Sequence, residues 1–154
     1  MKTRMILAYL AVFFASFGLC LTGEPQMGTW KLNEAKSKLN PEAAKLTRAV
    51  WAPAGDSVKI TVDGVDKDGG PVHDEWTGKL DGKDYPVTGD PRSDMRSYRM
   101  IDDHTFELTV KKAGKVVAGG FIVISADGTT RTAVAMTTDA SGKNVPLIAV
   151  YNKQ

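Results

Sequence analysis

The sequence predicts an all-β domain: an antiparallel up-and-down meander closing into a barrel of about 8–10 strands, with a two-layer β-sandwich as the alternative. Three observations carry this. Turn signals recur at Ala54-Gly55, Asp63-Gly64, Asp68-Gly69, Asp81-Gly82, Gly89-Asp90-Pro91, Ala113-Gly114, Asp127-Gly128 and Ser141-Gly142. Their spacing is mostly about 8–14 residues, as sequential hairpins require, and Asp-Gly suits a two-residue loop whose central residues take positive φ. Between the turns apolar and polar residues alternate, and helix signal is nearly absent. A meander keeps two open edges unless it closes, which favours the barrel.

The chain begins outside that pattern. Residues 1–23 place Lys2 and Arg4 before an uncharged run of 17 residues, Met5 to Leu21, with small residues at Gly18 and Cys20 near its end and at Thr22 and Gly23 just beyond it. A positive start, an apolar middle and a small-residue exit make a signal peptide, and the run is short beside the roughly 20 residues of a spanning helix. The expectation is export, with residues 24–154 as a single β-barrel domain and no stable membrane insertion after cleavage. An uncleaved N-terminal anchor is the alternative, as is a lipoprotein attached through Cys20, although Leu19 stands where a small residue is wanted.

Ten segments then read as strands, near residues 28–32, 46–52, 57–63, 72–80, 83–88, 94–101, 104–111, 115–125, 129–138 and 144–152. Val58, Ile60 and Val62 alternate with Lys59, Thr61 and Asp63, and Phe106, Leu108 and Val110 alternate with Glu107, Thr109 and Lys111. Each has the period of a strand with one buried face. Trp76 and Leu80 share a face with Gly78 between them, whereas residues 115–125 are apolar on both faces, as in a strand covered twice or set at a subunit contact. One short helix is expected at Asn40–Leu46, where Asn40 can cap, Pro41 suits the first helical position and Glu42 complements the dipole.

Charge and composition exclude several functions. Lys and Arg total 20 against 18 Asp and Glu, a net +2, and removal of Lys2 and Arg4 would leave the domain neutral. Neither figure suits a nucleic-acid-binding surface. A single Cys excludes an internal disulfide framework and a cysteine zinc site. Of the possible reactive groupings, His73 with Glu75 share a strand face at the spacing of an acid–base or metal pair, but no third ligand accompanies them. Asp102-Asp103-His104 reads as a solvated hairpin tip, since no nucleophile setting accompanies it. Asp63, Asp66 and Asp68 miss the spacing of a calcium loop and read as turn residues. No catalytic residue, metal or cofactor is expected.

Gly28-Thr29-Trp30 opens the first strand and resembles the Gly-x-Trp start of lipocalin and calycin barrels. That resemblance implies a Trp closing one barrel end beside an Arg from the last strand, but the last strand here, Ala149 to Gln154, has no Arg. The fatty-acid-binding branch of these barrels holds a carboxylate with Arg-x-Tyr on its last strand; Arg96-Ser97-Tyr98 has those residues on a middle strand. Gly28–Asn33, Ala35–Lys38 and Asp81–Gly89 are similar to small secreted bacterial proteins of no assigned function. The implied fold is a lipocalin-like or fatty-acid-binding-protein-like barrel. The implied role is non-enzymatic binding of a small, mostly apolar, lipid-like ligand outside the cytoplasm. The alternative is an inhibitor-type or envelope interaction module acting through loops or a strand face. Trp30, Trp76, Arg96, Tyr98, Phe106, Leu108 and Met136 are the expected ligand-binding residues, and Trp51 adds a third large core aromatic.

Overall fold

The computed structural model describes residues 23–138 and 141–154; residues 1–22, and with them nearly all of the expected signal peptide, lie outside the described residues. Ten antiparallel strands close into a barrel in which each strand neighbours the next and β1 pairs with β10. They are β1 (Gly28–Leu32), β2 (Lys45–Ala54), β3 (Ser57–Val65), β4 (Pro71–Gly78), β5 (Tyr85–Thr88), β6 (Met95–Asp102), β7 (Thr105–Lys112), β8 (Lys115–Ile124), β9 (Thr130–Thr138) and β10 (Asn144–Lys153). The predicted meander and closure hold, and the sandwich is set aside. Closure pairs Trp30 with Lys153 and Leu32 with Tyr151, leaving no free edge between first and last strands.

Two local expectations are corrected. Residues 41–44 form a turn, with Asn40 Oδ1 accepting from the Glu42 N–H at 3.0 Å; the chain enters β2 at Lys45 before a second helical turn could form. The short helix lies earlier, a 3-10 turn at Glu34–Lys36 whose cap, Asn33, accepts from the Lys36 N–H. Asp63-Gly64 is not a hairpin loop but part of β3, where a Cβ on Gly64 would stand 2.3 Å from the Lys45 carbonyl oxygen beside a bulge in β2. In the β3–β4 and β8–β9 turns an aspartate works through its carboxylate, and the positive φ is taken by Gly69 and Gly128. Asp66 Oδ1 accepts from the N–H groups of Asp68 and Gly70, and Asp127 Oδ1 accepts from Ser125 and Thr129. Those bonds push the Asp127 carboxyl down to about 2.

Inside the barrel the side chains sort by end. Toward the end carrying the β2–β3, β6–β7 and β8–β9 turns the interior is occupied by Trp30, Trp51, Ile60, Trp76, Phe106, Ile122 and Ile124, all fully buried. Edge-on ring contacts link Trp51 to Tyr98 and Phe106, and Trp76 to Tyr98 and Tyr85. Trp30 donates from Nε1 to the Gln26 carbonyl at 2.9 Å. Lys153 of β10 lies over its ring at 5.1 Å and donates to the Pro25 carbonyl. A last-strand cation therefore does pack on the opening tryptophan, as lysine rather than arginine.

On the outer face of β2–β4, Asp63 accepts from Arg48 and lies 2.7 Å from His73 Nδ1, while Glu75 pairs with Lys59. The His73–Glu75 grouping is thus one half of an exposed charge ladder. The hydrogen bond to Asp63 raises the His73 pKa, against a small opposing effect of burial. A raised histidine pKa adds stability that is complete below the ordinary histidine range and is lost as pH rises through the elevated value. Asp63→Asn is expected to return the His73 titration, followed by NMR of its ring protons, toward the ordinary value; an unmoved titration would mean that Asp63 is not its partner.

Candidate functional site

The interior changes character half-way along. Inward positions on β4 and β6 bring Asp74 against Arg96, with Asp74 Oδ1 accepting from Nη1 at 3.1 Å and both side chains buried. Asp90, from the β5–β6 loop, stands 3.8 Å from the same guanidinium. Burial pulls the Arg96 proton off, but Tyr98 and Asp74 outweigh it and leave the group a firmer cation than an ordinary arginine. Arg96 is therefore directed inward and neutralised within the protein.

A second arginine lies deeper. Arg131, inward from β9, is 7% exposed and lies between the Trp51 and Tyr151 rings, with its guanidinium carbon 5.4 Å and 5.1 Å from their centroids. Among the described residues no carboxylate forms an ion pair with it. Burial pushes its pKa below the usual arginine range and the charge on Arg96 acts in the same direction, while Tyr151 and Tyr98 oppose them. Burial also raises the Tyr151 pKa, and its hydroxyl donates to the Leu46 carbonyl at 3.1 Å.

From Arg131 toward the opposite barrel end, the inward positions become small. They are Ala133 on β9, paired with Ala149 on β10; Ala135 on β9, paired with Gly120 on β8; and Ala118 on β8, paired with Thr137. Gly120 cannot carry a side chain, because a Cβ there would meet the Val134 carbonyl oxygen at 2.0 Å. Leu108, Val110, Val145 and Leu147 complete this wall, and all four are only half-buried, as are Ala118, Ala133 and Ala135. This half of the interior, toward the β7–β8 and β9–β10 connections, is therefore walled by smaller and less completely buried residues than the aromatic half. The arrangement is an apolar inner wall of small side chains that begins at the buried cation of Arg131.

Of the residues expected to bind ligand, Tyr98, Leu108 and Arg96 face this interior, while Trp76 and Phe106 lie in the packed aromatic layer beneath. Trp30 lies at the aromatic end of the barrel, away from the inward alanines. Met136 is corrected: it points outward from β9 and is 47% exposed. There it joins Phe121, Val123 and Val134 in an apolar strip on the outer face of β8 and β9. Residues 115–125 are thus covered on one side only by the described residues. Asp102-Asp103-His104 is the expected hairpin tip, with Asp102 Oδ1 accepting from the His104 N–H. Among the described residues no cluster of His, Cys, Asp and Glu could hold a metal ion.

Sequence reasoning missed Arg131, Tyr151 and the alanine column. The signal was present in β9 but inverted: Arg131, Ala133 and Ala135 face inward, and the more apolar Val134 and Met136 face out. Period-two reading gives the two faces correctly and assigns them the wrong way round.

The site belongs to a closed antiparallel β-barrel. No protein-family model matches the chain, and no curated protein does. Among solved structures it is similar to EF1p2_mFAP2b bound to DFHBI, at 13% identity and a TM-score of 0.52, over 85% of this chain and 95% of that one. The redesigned β-barrel mFAP1 bound to DFHBI aligns at 18% identity and 0.48, over 84% and 96%. H1 crustacyanin from the lobster Homarus americanus aligns at 14% and 0.38, over 82% and 59%. At these identities the likeness concerns the fold.

Proposed function

We propose that this barrel is a non-enzymatic, extracytoplasmic binding protein for a small, mostly apolar molecule held in the recess between β7 and β10. The observation that carries the reading is the set of inward alanines and glycine beside half-buried aliphatic walls, where the rest of the interior is filled by aromatic rings. A barrel of this size filled throughout by large side chains would have no room for a guest. EF1p2_mFAP2b, the structure of most similar topology by TM-score among those named, was solved with a small molecule bound. Export rests on the sequence of residues 1–23 alone. Both histidines lie outside the recess, one on the outer sheet face and one at a hairpin tip.

The test is to fill the recess. Ala135→Phe places a ring in the half-buried column and is expected to abolish the tryptophan fluorescence change on titration with fatty alcohols and isoprenoids, with the far-UV spectrum retained. Binding that survives Ala135→Phe would refute the reading, as would a wild-type protein that binds no member of the panel and carries no small molecule in native mass spectrometry.

The outer strip of Phe121, Val123, Val134 and Met136, each more than two-fifths exposed, favours a second reading, an interaction module acting through the face of β8 and β9. On that reading Val134→Asp abolishes a self-association seen by sedimentation velocity; a monomeric wild-type protein with no partner would exclude it.

A further inference from the structure

We infer that the recess takes a carboxylate-headed amphiphile whose head group is received by Arg131. The inference rests on the recess being a ligand site and adds the chemistry of its floor. Arg131 is buried, directed into the interior, and joined to no carboxylate among the described residues. Burying a cation without a counter-charge is costly, and stacking on Trp51 and Tyr151 supplies only part of what water provided. The neighbouring Arg96 does not share this condition, because Asp74 and Asp90 face it.

The hydrogen-bonding inventory around Arg131 points the same way. The Arg131 Nε–H, the Arg96 Nε–H and the indole N–H of Trp51 are buried and have no acceptor among the described residues. The carboxylate oxygens in the same condition are Asp74 Oδ2, whose carboxylate already holds Arg96, and Asp94 Oδ1 in the β5–β6 loop, whose other oxygen accepts from the Ala113 N–H. The layer is therefore rich in donors and poor in acceptors. A carboxylate brings negative charge and two oxygens in a plane, which suits the planar donor fork of a guanidinium. An apolar tail of that ligand would run along Ala133, Ala135 and Ala149 toward the β7–β8 and β9–β10 connections, since these are the inward positions next to Arg131 on its own strand and on β10.

Dodecanoate and dodecanol separate head-group recognition from tail binding, since they differ only in the head. Titrated into the purified protein with tryptophan fluorescence as readout, dodecanoate is expected to bind at least about tenfold more tightly than dodecanol, the gain of a charge-assisted hydrogen bond. Arg131→Met is expected to remove that preference by weakening dodecanoate while dodecanol binds as before. Arg131→Lys, which keeps the charge and loses the fork, is expected to fall between. Equal wild-type affinities for the two probes would overturn the inference and leave the recess as a neutral apolar site, and so would a preference undiminished in Arg131→Met. If neither probe binds, the recess itself is not a ligand site and both readings fall. The wild-type comparison decides even if Arg131→Met fails to fold.

Discussion

Asp74→Ala is expected to lower the unfolding free energy by about 3–5 kcal/mol, the cost of leaving a buried partner charge without its counter-ion. Arg96 is 7% exposed and Asp74 is fully buried, so water cannot take the place of the missing carboxylate. Asp90 stands farther off, at 3.8 Å, and is itself engaged by Arg92 at 2.8 Å. The location makes the loss more than electrostatic. Between β4 and β6 lies β5, which spans only Tyr85–Thr88. It pairs through two residues on either side, Glu75 with Thr88 and Trp76 with Val87, then Tyr85 with Arg96 and Pro86 with Met95. The Asp74–Arg96 pair crosses this short strand from within and holds β4 to β6 where the backbone ladder is thinnest. Urea unfolding followed by tryptophan fluorescence gives the measurement. The double variant Asp74→Leu with Arg96→Met is expected to recover most of the loss, because apolar replacement of both members of a buried pair is often close to neutral. A single variant within about 1 kcal/mol of wild type would mean that Asp74 does not neutralise Arg96.

The same pair explains part of what could be read from the sequence and what could not. Turns and strands were legible because they depend on local chemistry: Gly114 and Gly128 at positive φ, the Asx bonds of Asp66 and Asp127, and the alternation in β3 and β7. Closure was legible from the number of hairpins. The identity of the inner face was legible only where apolar residues fill it, at Val58, Ile60 and Val62 or at Phe106 and Leu108. It failed in β9, where a charged residue and small residues face the interior and larger apolar ones face out. Asp74 was hidden for a similar reason: in His73-Asp74-Glu75 the outward His and Glu look like the functional pair, and the inward carboxylate between them looks like surface. Its partner is 22 residues away on a strand that is not adjacent, and no local pattern records that distance.

Two tryptophans in one aromatic layer are expected to respond differently to the same change. Trp76 and Trp51 are both 1% exposed and both contact Tyr98, at 4.7 Å and 5.2 Å between ring centroids. Replacement of Trp76 by Ala is expected to cost about 3–5 kcal/mol from lost burial and the resulting cavity. Replacement by Phe keeps an aromatic ring and isolates the polar contribution. Trp76 Nε1 donates to the Arg96 carbonyl at 2.9 Å, a second link from β4 to β6 across the short β5. Trp76→Phe leaves that buried carbonyl without its donor, an added cost of about 1–3 kcal/mol. Trp51 Nε1 is buried with no acceptor among the described residues, so Trp51→Phe removes a donor already unsatisfied and loses only ring area. The expected order of stability in urea is wild type, then Trp51→Phe, then Trp76→Phe, then Trp76→Ala. The two Phe variants also separate binding from stability. Trp51→Phe takes away a donor beside Arg131 and is expected to weaken dodecanoate more than dodecanol, whereas Trp76→Phe, away from Arg131, is expected to leave their ratio unchanged. If Trp51→Phe proves the more destabilising of the two, the indole N–H of Trp51 has a partner in solution, and the donor-rich floor assigned to the recess is correspondingly reduced.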